Sequence, residues 1–182
     1  MNAVCFDIES TNLYADTATI IGYGLLHLNG KFQCAFVKEN PEEGEKQLIN
    51  QCIRQLSSFS HVVTFNGSGF DFPMLISRAL KHGIDLSPIL NVSYIDLWLV
   101  VKDNLLLTRN SLDNVAKFFG IEKKTELSGK DVPNLYVKAM QGDRKALRKI
   151  KQHLKDDLQA TLQLYLKLTP LITPDYVLPV IS

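Results

Sequence analysis

The sequence has few cysteines and no long apolar run. Cys5, Cys34 and Cys52 are the only three thiols in 182 residues, and no two of them form a Cys-x-x-Cys pair. An odd number of widely spaced cysteines is typical of a reducing compartment and argues against a disulfide framework and a zinc cage. No apolar stretch approaches the roughly 18 residues of a membrane-spanning helix. We therefore expect a soluble, cytoplasmic protein with no membrane partner.

The chain also lacks a strong excess of either charge. Its formal net charge is +1, so any binding of nucleic acid must depend on local basic patches rather than on bulk charge. Hydrophobic residues make up 46% of the chain and charged residues 21%, which excludes a disordered protein. The length predicts one domain over residues 1–170, followed by a C-terminal tail at 171–182. This apolar tail either packs on the domain or docks elsewhere.

Hydrophobic patterning predicts an α/β protein. Three strands are expected at 3–8, 19–28 and 31–37, with a type I′ hairpin turn at Asn29 and Gly30. Helices and strands then alternate. The expected helices are 42–58, 71–82, one containing Trp98, 111–119 and 143–168, and the expected strands are 61–65 and 91–95, with a loop at 121–133. This order predicts a mixed β-sheet, with three antiparallel N-terminal strands, flanked by helices.

Two acidic residues lie in or directly after the first strand. Asp7 and Glu9 are two residues apart, so their side chains project from the same face if the strand continues. Acids are disfavoured in buried strands, and paired carboxylates are suitable ligands for a hard cation. The alternative is that the strand ends at Asp7 and both acids are solvated.

A third acid, Asp71, follows the fourth strand where the next helix begins. As an isolated residue it is equally well explained as a helix cap. The preceding Gly67 and Gly69 resemble a dinucleotide-binding loop, but Phe72 stands where the third glycine belongs, so we reject that motif.

The fourth acid, Asp157, lies on the predicted helix 143–168. At about 100° per residue, Asp157 falls inside the apolar stripe of this helix and Asp156 falls well outside it. A carboxylate on a buried face needs a cation or strong hydrogen bonds. His153 lies one turn before Asp157, and Lys149 one turn before His153, where it could approach a phosphate. The remaining basic residues of the helix form a separate stripe that we interpret as a solvated face: Arg144, Arg148, Lys151 and Lys155.

Together, these elements predict four carboxylates at one edge of the sheet. Two divalent ions would neutralise them, and ions about 3.5–4 Å apart stabilise both the attacking and the leaving oxygen of a phosphodiester. Such a site needs no nucleophilic side chain.

Three segments resemble the motifs of the DEDD (DnaQ-like) 3′–5′ exonuclease superfamily, most closely the proofreading domain of family B DNA polymerases and related stand-alone exonucleases. Residues 6–10 (Phe-Asp-Ile-Glu-Ser) are similar to the first motif, and residues 65–73 (Phe-Asn-Gly-Ser-Gly-Phe-Asp-Phe-Pro) to the second. Residues 153–161 (His-Leu-Lys-Asp-Asp-Leu-Gln-Ala-Thr) are similar to the third. Because the order and spacing of the motifs also match, the resemblance spans nearly the whole chain.

The resemblance implies an RNase H-like fold and hydrolysis of single-stranded DNA or RNA from the 3′ end, releasing nucleoside 5′-monophosphates. It also implies two Mg²⁺ or Mn²⁺ ions as cofactors. Asp7, Glu9 and Asp157 would hold the first metal, and Asp7 and Asp71 would serve the second.

The same resemblance places further residues around the substrate. Ser10, Asn66 and Phe70 would lie near the terminal nucleotide, with Phe70 stacking on a base. Asp96 matches an acid of the polymerase relatives that we interpret as structural support.

One position departs from the family pattern. His153 stands where the third motif usually has tyrosine, and it keeps the tyrosine spacing of four residues from Asp157. It is either a base for the attacking water, a substitution that slows the enzyme, or a helix-edge residue without a role. Two other functions therefore stay open: a catalytically weak or silent nucleic-acid-binding or scaffold protein, and a phosphodiesterase on short oligonucleotides. The sequence identifies no replication or repair partner.

Overall fold

The computed structural model describes residues 2–37, 41–125 and 127–181. Residues 126 and 182, which belong to the predicted loop and tail, lie outside this set. The strands are β1 (Ala3–Ser10), β2 (Ile20–His27), β3 (Phe32–Phe36), β4 (His61–Thr64), β5 (Ser93–Asp96) and β6 (Val177–Pro179). The helices are α1 (Pro41–Leu56), α2 (Asp71–Lys81), α3 (Leu97–Asn104), α4 (Leu112–Phe118), α5 (Val132–Met140) and α6 (Arg144–Leu168). None of the helices in these described parts has the length and hydropathy to span a bilayer.

The six strands form one mixed sheet in the order β3-β2-β1-β4-β5-β6. β1, β4 and β5 run parallel to one another, whereas β2, β3 and β6 pair antiparallel to their neighbours. The prediction of an α/β fold with a mixed sheet and three antiparallel N-terminal strands is confirmed. Because β1, β4 and β5 are parallel, their carboxyl ends lie along the same edge of the sheet, where open α/β sheets usually bind ligands.

The hairpin between β2 and β3 lies where it was predicted but has a different turn. The Gly30 N–H donates to the His27 carbonyl at 2.8 Å, and the His27 N–H donates to the Lys31 carbonyl at 3.0 Å. Gly30 has a φ of 85°, while Asn29 is not among the residues with positive φ. The predicted type I′ turn, which needs positive φ at both residues, is therefore wrong. Only Gly30 supplies the left-handed conformation, as in three-residue hairpin loops.

Two elements were not predicted. α5 begins at Val132, inside the segment expected to be a loop, because Pro133 is tolerated in the first turn of a helix, where its missing N–H has no helical partner. β6 lies in the tail segment and pairs antiparallel with β5 over Val177, Leu178 and Pro179. The tail therefore contributes the last strand of the sheet.

The sheet separates two apolar cores. Val4, Phe6 and Ile8 of β1 pack on the side of α1 and α2. Cys5 points to the other side, where it packs with Leu154 and Leu158 of α6. Because side chains alternate along a strand, Asp7 and Glu9 follow Cys5 onto the α6 side.

A glycine lets α6 lie directly on the sheet beside Asp7. Gly24 of β2 is the register partner of Asp7. A Cβ atom on Gly24 would lie 2.6 Å from Leu158 Cδ1 and 2.9 Å from Leu154 Cγ. These distances are shorter than ordinary van der Waals contacts, so α6 can take its present position only if no side chain lies there.

We expect Gly24→Ala to destabilise the protein by about 1–3 kcal/mol, because the added methyl group overpacks the contact with α6. Thermal melting measures this effect. Gly129→Ala is the matched control, since a Cβ atom at Gly129 meets no atom within 4 Å. An unchanged melting temperature in Gly24→Ala would contradict the close approach of α6.

Candidate active site

Asp7 and Glu9 both lie within β1, which continues to Ser10. Glu9 is only 6% exposed, whereas Asp7 is partly open to the surface. The alternative in which the strand ends at Asp7 and both acids are solvated is wrong. The strand therefore carries two carboxylates on its α6 side.

Asp71 is joined directly to β1. Its Oδ1 accepts a hydrogen bond of 3.0 Å from the Ile8 N–H, and its side chain is 2% exposed. β4 pairs with β1 only as far as Cys5, so the Ile8 N–H lies beyond the last β4 partner. No side-chain cap precedes α2, and Asp71 is its first residue rather than its cap. The carboxylate thus continues the hydrogen bonding of β1 where β4 has ended.

Burial raises the pKa values of the clustered acids, and neighbouring carboxylates add to this effect at Asp7 and Glu9. Burial raises the pKa of Asp7 well above its usual range, and the neighbouring Asp71, Glu9 and Asp157 raise it further. Burial also raises the pKa of Glu9, and the nearby Asp157 and Asp71 raise it further. The pKa of Asp71 is raised to about 7, chiefly by burial. Asp7 and Asp71 also share a side-chain hydrogen bond, which raises the pKa of Asp7 and lowers that of Asp71. Acids this close in a desolvated site favour a proton or a cation.

α6 brings Asp157 and His153 to the same place. The Asp157 side chain is 19% exposed, and burial raises its pKa. His153 is buried, its Nδ1 lies 3.7 Å from Asp157 Oδ1, and this Nδ1 has no hydrogen-bond partner among the described atoms. His153 is therefore enclosed beside the acidic cluster rather than lying on a solvated helix edge.

The placement predicted for Asp156 is wrong. The helical projection puts it well outside the apolar stripe, but the residue is 2% exposed. Its Oδ1 accepts a hydrogen bond of 2.7 Å from Gln152 Nε2. α6 contacts the sheet as well as α3, α4 and α5, so its buried surface is wider than its apolar stripe.

Lys123 is a site residue that sequence reasoning missed. Its ammonium lies 2.6 Å from Asp157 Oδ1 and 2.6 Å from Asp113 Oδ1. Burial lowers the pKa of Lys123, but Asp157 and Asp113 outweigh this effect and raise it. Lys123 lies in the segment predicted to be a loop, and no spacing in the sequence connects it to Asp157. It is the countercharge of Asp157 in this structure.

The residues predicted to contact substrate differ in their exposure and in their position on the molecule. Ser10 is partly exposed at the end of β1, where its Oγ donates to the Asn12 carbonyl at 2.6 Å. Asn66 is exposed, and Phe70 is partly buried against the core beside α2. Lys149 lies on the exposed surface of α6.

Asp96 holds the loop before α2 in place. This buried carboxylate accepts hydrogen bonds from the Asn66 N–H at 2.7 Å, the Ser68 N–H at 3.0 Å and the Ser68 hydroxyl at 2.5 Å. Asn66 has a φ of 66°, the only positive value at a non-glycine position in the described chain. A Cβ atom on Gly67 would lie 2.3 Å from Thr64 Oγ1, so the glycine here serves a tight loop. The position of Asp96 agrees with a supporting role.

The four carboxylates are suitable ligands for hard divalent cations, but they are not arranged around a single ion position. The four carboxylates offer oxygen ligands, and all four have raised pKa values, which a bound cation would lower. In the described residues, no group of three or more His, Cys, Asp or Glu side chains is already arranged to hold a metal ion. Lys123 neutralises Asp157 instead. The residue chemistry fits divalent ions, and in this structure the Lys123 ammonium lies against one oxygen of Asp157.

A sequence profile of the RNase H superfamily matches residues 4–169, which include β1 from Val4 onward, α6 and all four acids. The chain belongs to the RNase H superfamily. The predicted RNase H-like fold is confirmed, and the superfamily accounts for the mixed sheet with helices on both faces.

Two DNA polymerases are similar to this RNase H superfamily chain. A DNA polymerase of Methanocaldococcus jannaschii is 34% identical in an alignment of 101 residues that covers 44% of this chain and 6% of the polymerase. The structure of the family B DNA polymerase from the hyperthermophilic archaeon Pyrobaculum calidifontis superposes with a TM-score of 0.71 at 20% identity, over 92% of this chain and 24% of the polymerase. The resemblance to family B polymerases found in the sequence is confirmed. The chain corresponds to only a small part of either polymerase.

Proposed function

We propose that the protein is a metal-dependent 3′–5′ exonuclease that hydrolyses phosphodiester bonds at single-stranded 3′ ends and releases nucleoside 5′-monophosphates. The observation that carries this proposal is the cluster of desolvated carboxylates at the carboxyl edge of the sheet. β1, α2 and α6 each contribute to it. Burial raises the pKa values of Asp7, Glu9 and Asp71, and neighbouring carboxylates of the cluster raise those of Asp7 and Glu9 further. A protein that only binds a polyanion gains nothing from such a cluster. The family and the similar polymerases support the same reaction class.

The four acids would hold two Mg²⁺ or Mn²⁺ ions. Asp7, Glu9 and Asp157 are the proposed ligands of one ion, and Asp7 and Asp71 of the other. When bound, such ions activate water and stabilise the charge on the departing oxygen.

The protein's own residues provide the remaining functions. The Nδ1 of His153 has no hydrogen-bond partner among the described atoms, so the ring is available to take a proton from the attacking water. Ser10, Asn66 and Phe70 would contact the terminal nucleotide, and the exposed Lys149 would contact a phosphate of the strand. Asp71, fixed by the Ile8 N–H, keeps its carboxylate in place while substrate enters.

The direct test is digestion of 5′-labelled single-stranded DNA and RNA with Mn²⁺, Mg²⁺ or EDTA. We expect a ladder that shortens from the 3′ end only when metal is present. Binding without any ladder, beside an active control nuclease, would favour a silent nucleic-acid-binding protein, a possibility that the open carboxylate arrangement keeps as the second candidate. Rapid cleavage of dinucleotides, without preference for longer strands, would favour an oligonucleotide phosphodiesterase.

Substitutions of His153 test its proposed role as a base. We expect His153→Ala to lower the rate by about 10²-fold, because a positioned base contributes roughly this much or more. His153→Tyr restores the residue of the family pattern and should keep or raise activity. Single-turnover rates across pH measure both effects. Unchanged rates in both variants would show that His153 has no role in the reaction.

Substitution of Lys123 tests whether its ammonium competes with metal at Asp157. We expect Lys123→Met to melt at a lower temperature in EDTA, because Asp157 loses its countercharge. The same variant should reach half-maximal stabilisation at a Mn²⁺ concentration several-fold lower than the unaltered protein. Lys124→Met is the matched control, since its exposed side chain is the next along the chain. An unchanged Mn²⁺ dependence would show that Lys123 does not occupy the metal position.

A further inference from the structure

One outer edge of the sheet is open along β3. β3 is the last strand on its side of the sheet, and β2 is the only described strand that pairs with it. The Val37 N–H donates to the Ile21 carbonyl at 2.9 Å. Because backbone groups alternate in direction along an antiparallel strand, the N–H and C=O groups of Phe32, Cys34 and Phe36 point away from β2. β3 therefore presents a row of backbone donors and acceptors to a further strand.

A groove follows this open edge. It consists of a cavity of about 540 Å³ beside Cys34 and Phe36 and a neighbouring cavity of about 390 Å³ beside Phe32. The two cavities share Cys34, Gln51 of α1 and Lys151 of α6, so they are continuous. We call this feature the β3 groove. Its two walls leave room for an extended chain along the edge of β3.

One end of the β3 groove is apolar. Met140 of α5 and Leu147 of α6 line it together with Phe36. Met140 is 38% exposed and Leu147 is 39% exposed, and Val137, one turn before Met140, is 56% exposed. Neighbouring large apolar side chains that stay exposed are typical of a surface that binds another protein.

The rest of the β3 groove is positively charged. Lys151 lines both cavities, and the ammonium of Lys155, one turn later on α6, lies 5.8 Å from the centre of the Phe32 ring. Burial raises the pKa of the Cys34 thiol, and the adjacent Lys151 ammonium partly offsets this rise. No carboxylate is among the described residues that line the two cavities. The two lysines, which we interpreted as part of a solvated face, therefore complement acidic side chains.

These features favour an acidic peptide strand over other occupants. A nucleic acid has no row of backbone donors and acceptors that matches the open edge, and its phosphates gain nothing from the apolar end. A second copy paired through the same strand would bring two sets of lysines together, and lysines beside an edge strand oppose such pairing. A peptide strand satisfies the backbone groups of the edge, while its side chains contact both the apolar end and the lysines.

We propose that the β3 groove binds an extended segment of a partner protein, which joins the sheet as an added strand. On the face toward α6, this segment carries acidic side chains beside Lys151 and Lys155 and apolar side chains beside Met140 and Leu147. β2 separates the groove from β1, and none of the four acids lines it. The proposal is therefore independent of the proposed nuclease function.

The experiment measures the fluorescence anisotropy of labelled nine-residue peptides titrated with the protein. The probes are Thr-Asp-Thr-Asp-Thr-Leu-Thr-Leu-Thr and the reverse sequence, because a strand can be added in either direction. We expect saturable binding of one of them, and a binding constant weaker by about 10-fold or more when lysine replaces both aspartates. Absence of saturable binding of either probe up to about 1 mM would overturn the proposal.

N-methylated peptides test the backbone pairing. Methylation of the threonine nitrogens removes the donors of one edge of the peptide, and methylation of the aspartate and leucine nitrogens removes those of the other edge. We expect only one of the two sets to abolish binding, because only one edge of the peptide pairs with β3. Equal binding of both methylated peptides would overturn the added strand.

Substitutions locate the binding surface. We expect Lys151→Glu to weaken binding of the aspartate peptide by about 10-fold and to strengthen binding of the lysine peptide. Met140→Ser should weaken binding of both. Lys167→Glu is the matched control, since this exposed lysine lies on the same helix and outside the groove. Melting temperatures show whether each variant folds, and unchanged binding in Lys151→Glu and Met140→Ser would overturn the assignment.

Two further measurements test the other occupants. Sedimentation of the protein alone should show a monomer, and a dimer that peptide does not dissociate would assign the edge to a second copy. A ten-residue oligothymidylate in EDTA should not displace the peptide. Displacement, with oligonucleotide binding that Lys151→Glu weakens, would assign the groove to nucleic acid and overturn the peptide.

Discussion

Asp7→Ala and Asp157→Ala are each expected to reduce hydrolysis of single-stranded DNA or RNA by at least about 10³-fold, equivalent to about 4 kcal/mol of transition-state stabilisation. Both residues are proposed ligands of the same ion, and they lie on different elements, β1 and α6. Loss of either would leave that ion without one of its charged ligands. The measurement is the initial rate in Mn²⁺ and in Mg²⁺.

Asp156→Asn provides the matched control for Asp157→Ala. Asp156 is the neighbouring acid of α6 and is buried. Its Oδ1 accepts a hydrogen bond from Gln152, and an asparagine oxygen can accept the same bond. We expect this variant to keep near-normal activity. Full Mn²⁺-dependent activity in Asp7→Ala or Asp157→Ala would show that the assignment of the metal ligands is wrong. Normal melting of the inactive variants would show that the loss is chemical and not a loss of fold.

The second large effect is a loss of stability in EDTA as the pH rises. Burial raises the pKa of Asp71 from an ordinary value of 3.8 to about 7, so the folded protein keeps a proton that the unfolded chain has released. The stability associated with that proton is fully present below about pH 4 and is lost as the pH rises through about 7. The raised pKa values of Asp7 and Glu9 act in the same direction. We expect a loss on the order of 2–4 kcal/mol, or roughly 5–10 °C in Tm.

Thermal melting between pH 5 and pH 8.5, with EDTA or with Mn²⁺, measures this effect. Mn²⁺ should restore stability mainly at the higher pH, because only ionised carboxylates bind the ion. Asp71→Asn should flatten the pH dependence in EDTA, since a neutral amide replaces a group that must ionise. Asp16→Asn, at an exposed acid, should leave the curve unchanged. A protein that becomes more stable in EDTA between pH 5 and pH 8 would contradict the desolvated acid cluster.

These predictions share one physical cause. The cluster concentrates negative charge where water is partly excluded, and Lys123 neutralises only one of its members. Such an arrangement costs stability in the absence of cations, which is common where residues are arranged for function rather than for stability.

The sequence was sufficient for most of the secondary structure because the signals involved are local. The apolar run of β1, the helical period of α6 and the Ser111 cap of α4 depend on residues only a few positions apart. The type of hairpin turn was wrong because the Asn-Gly pair suits more than one loop, and strand pairing selects among them. α5 was missed because Pro133 marks a loop or the first turn of a helix equally well.

The sequence by itself determined which chemistry is available: Asp7, Glu9, Asp71 and Asp157 stand in a spacing that predicts a carboxylate site, and strand alternation puts the first two on one face. Only the tertiary structure decided what surrounds them. Lys123 reaches Asp157 from 34 residues away, Asp156 is buried by packing around α6, and Asp96 joins the loop after β4 to the start of α3. Such contacts depend on how distant segments of the chain pack together. The periodicity of a single segment contains no information about that packing.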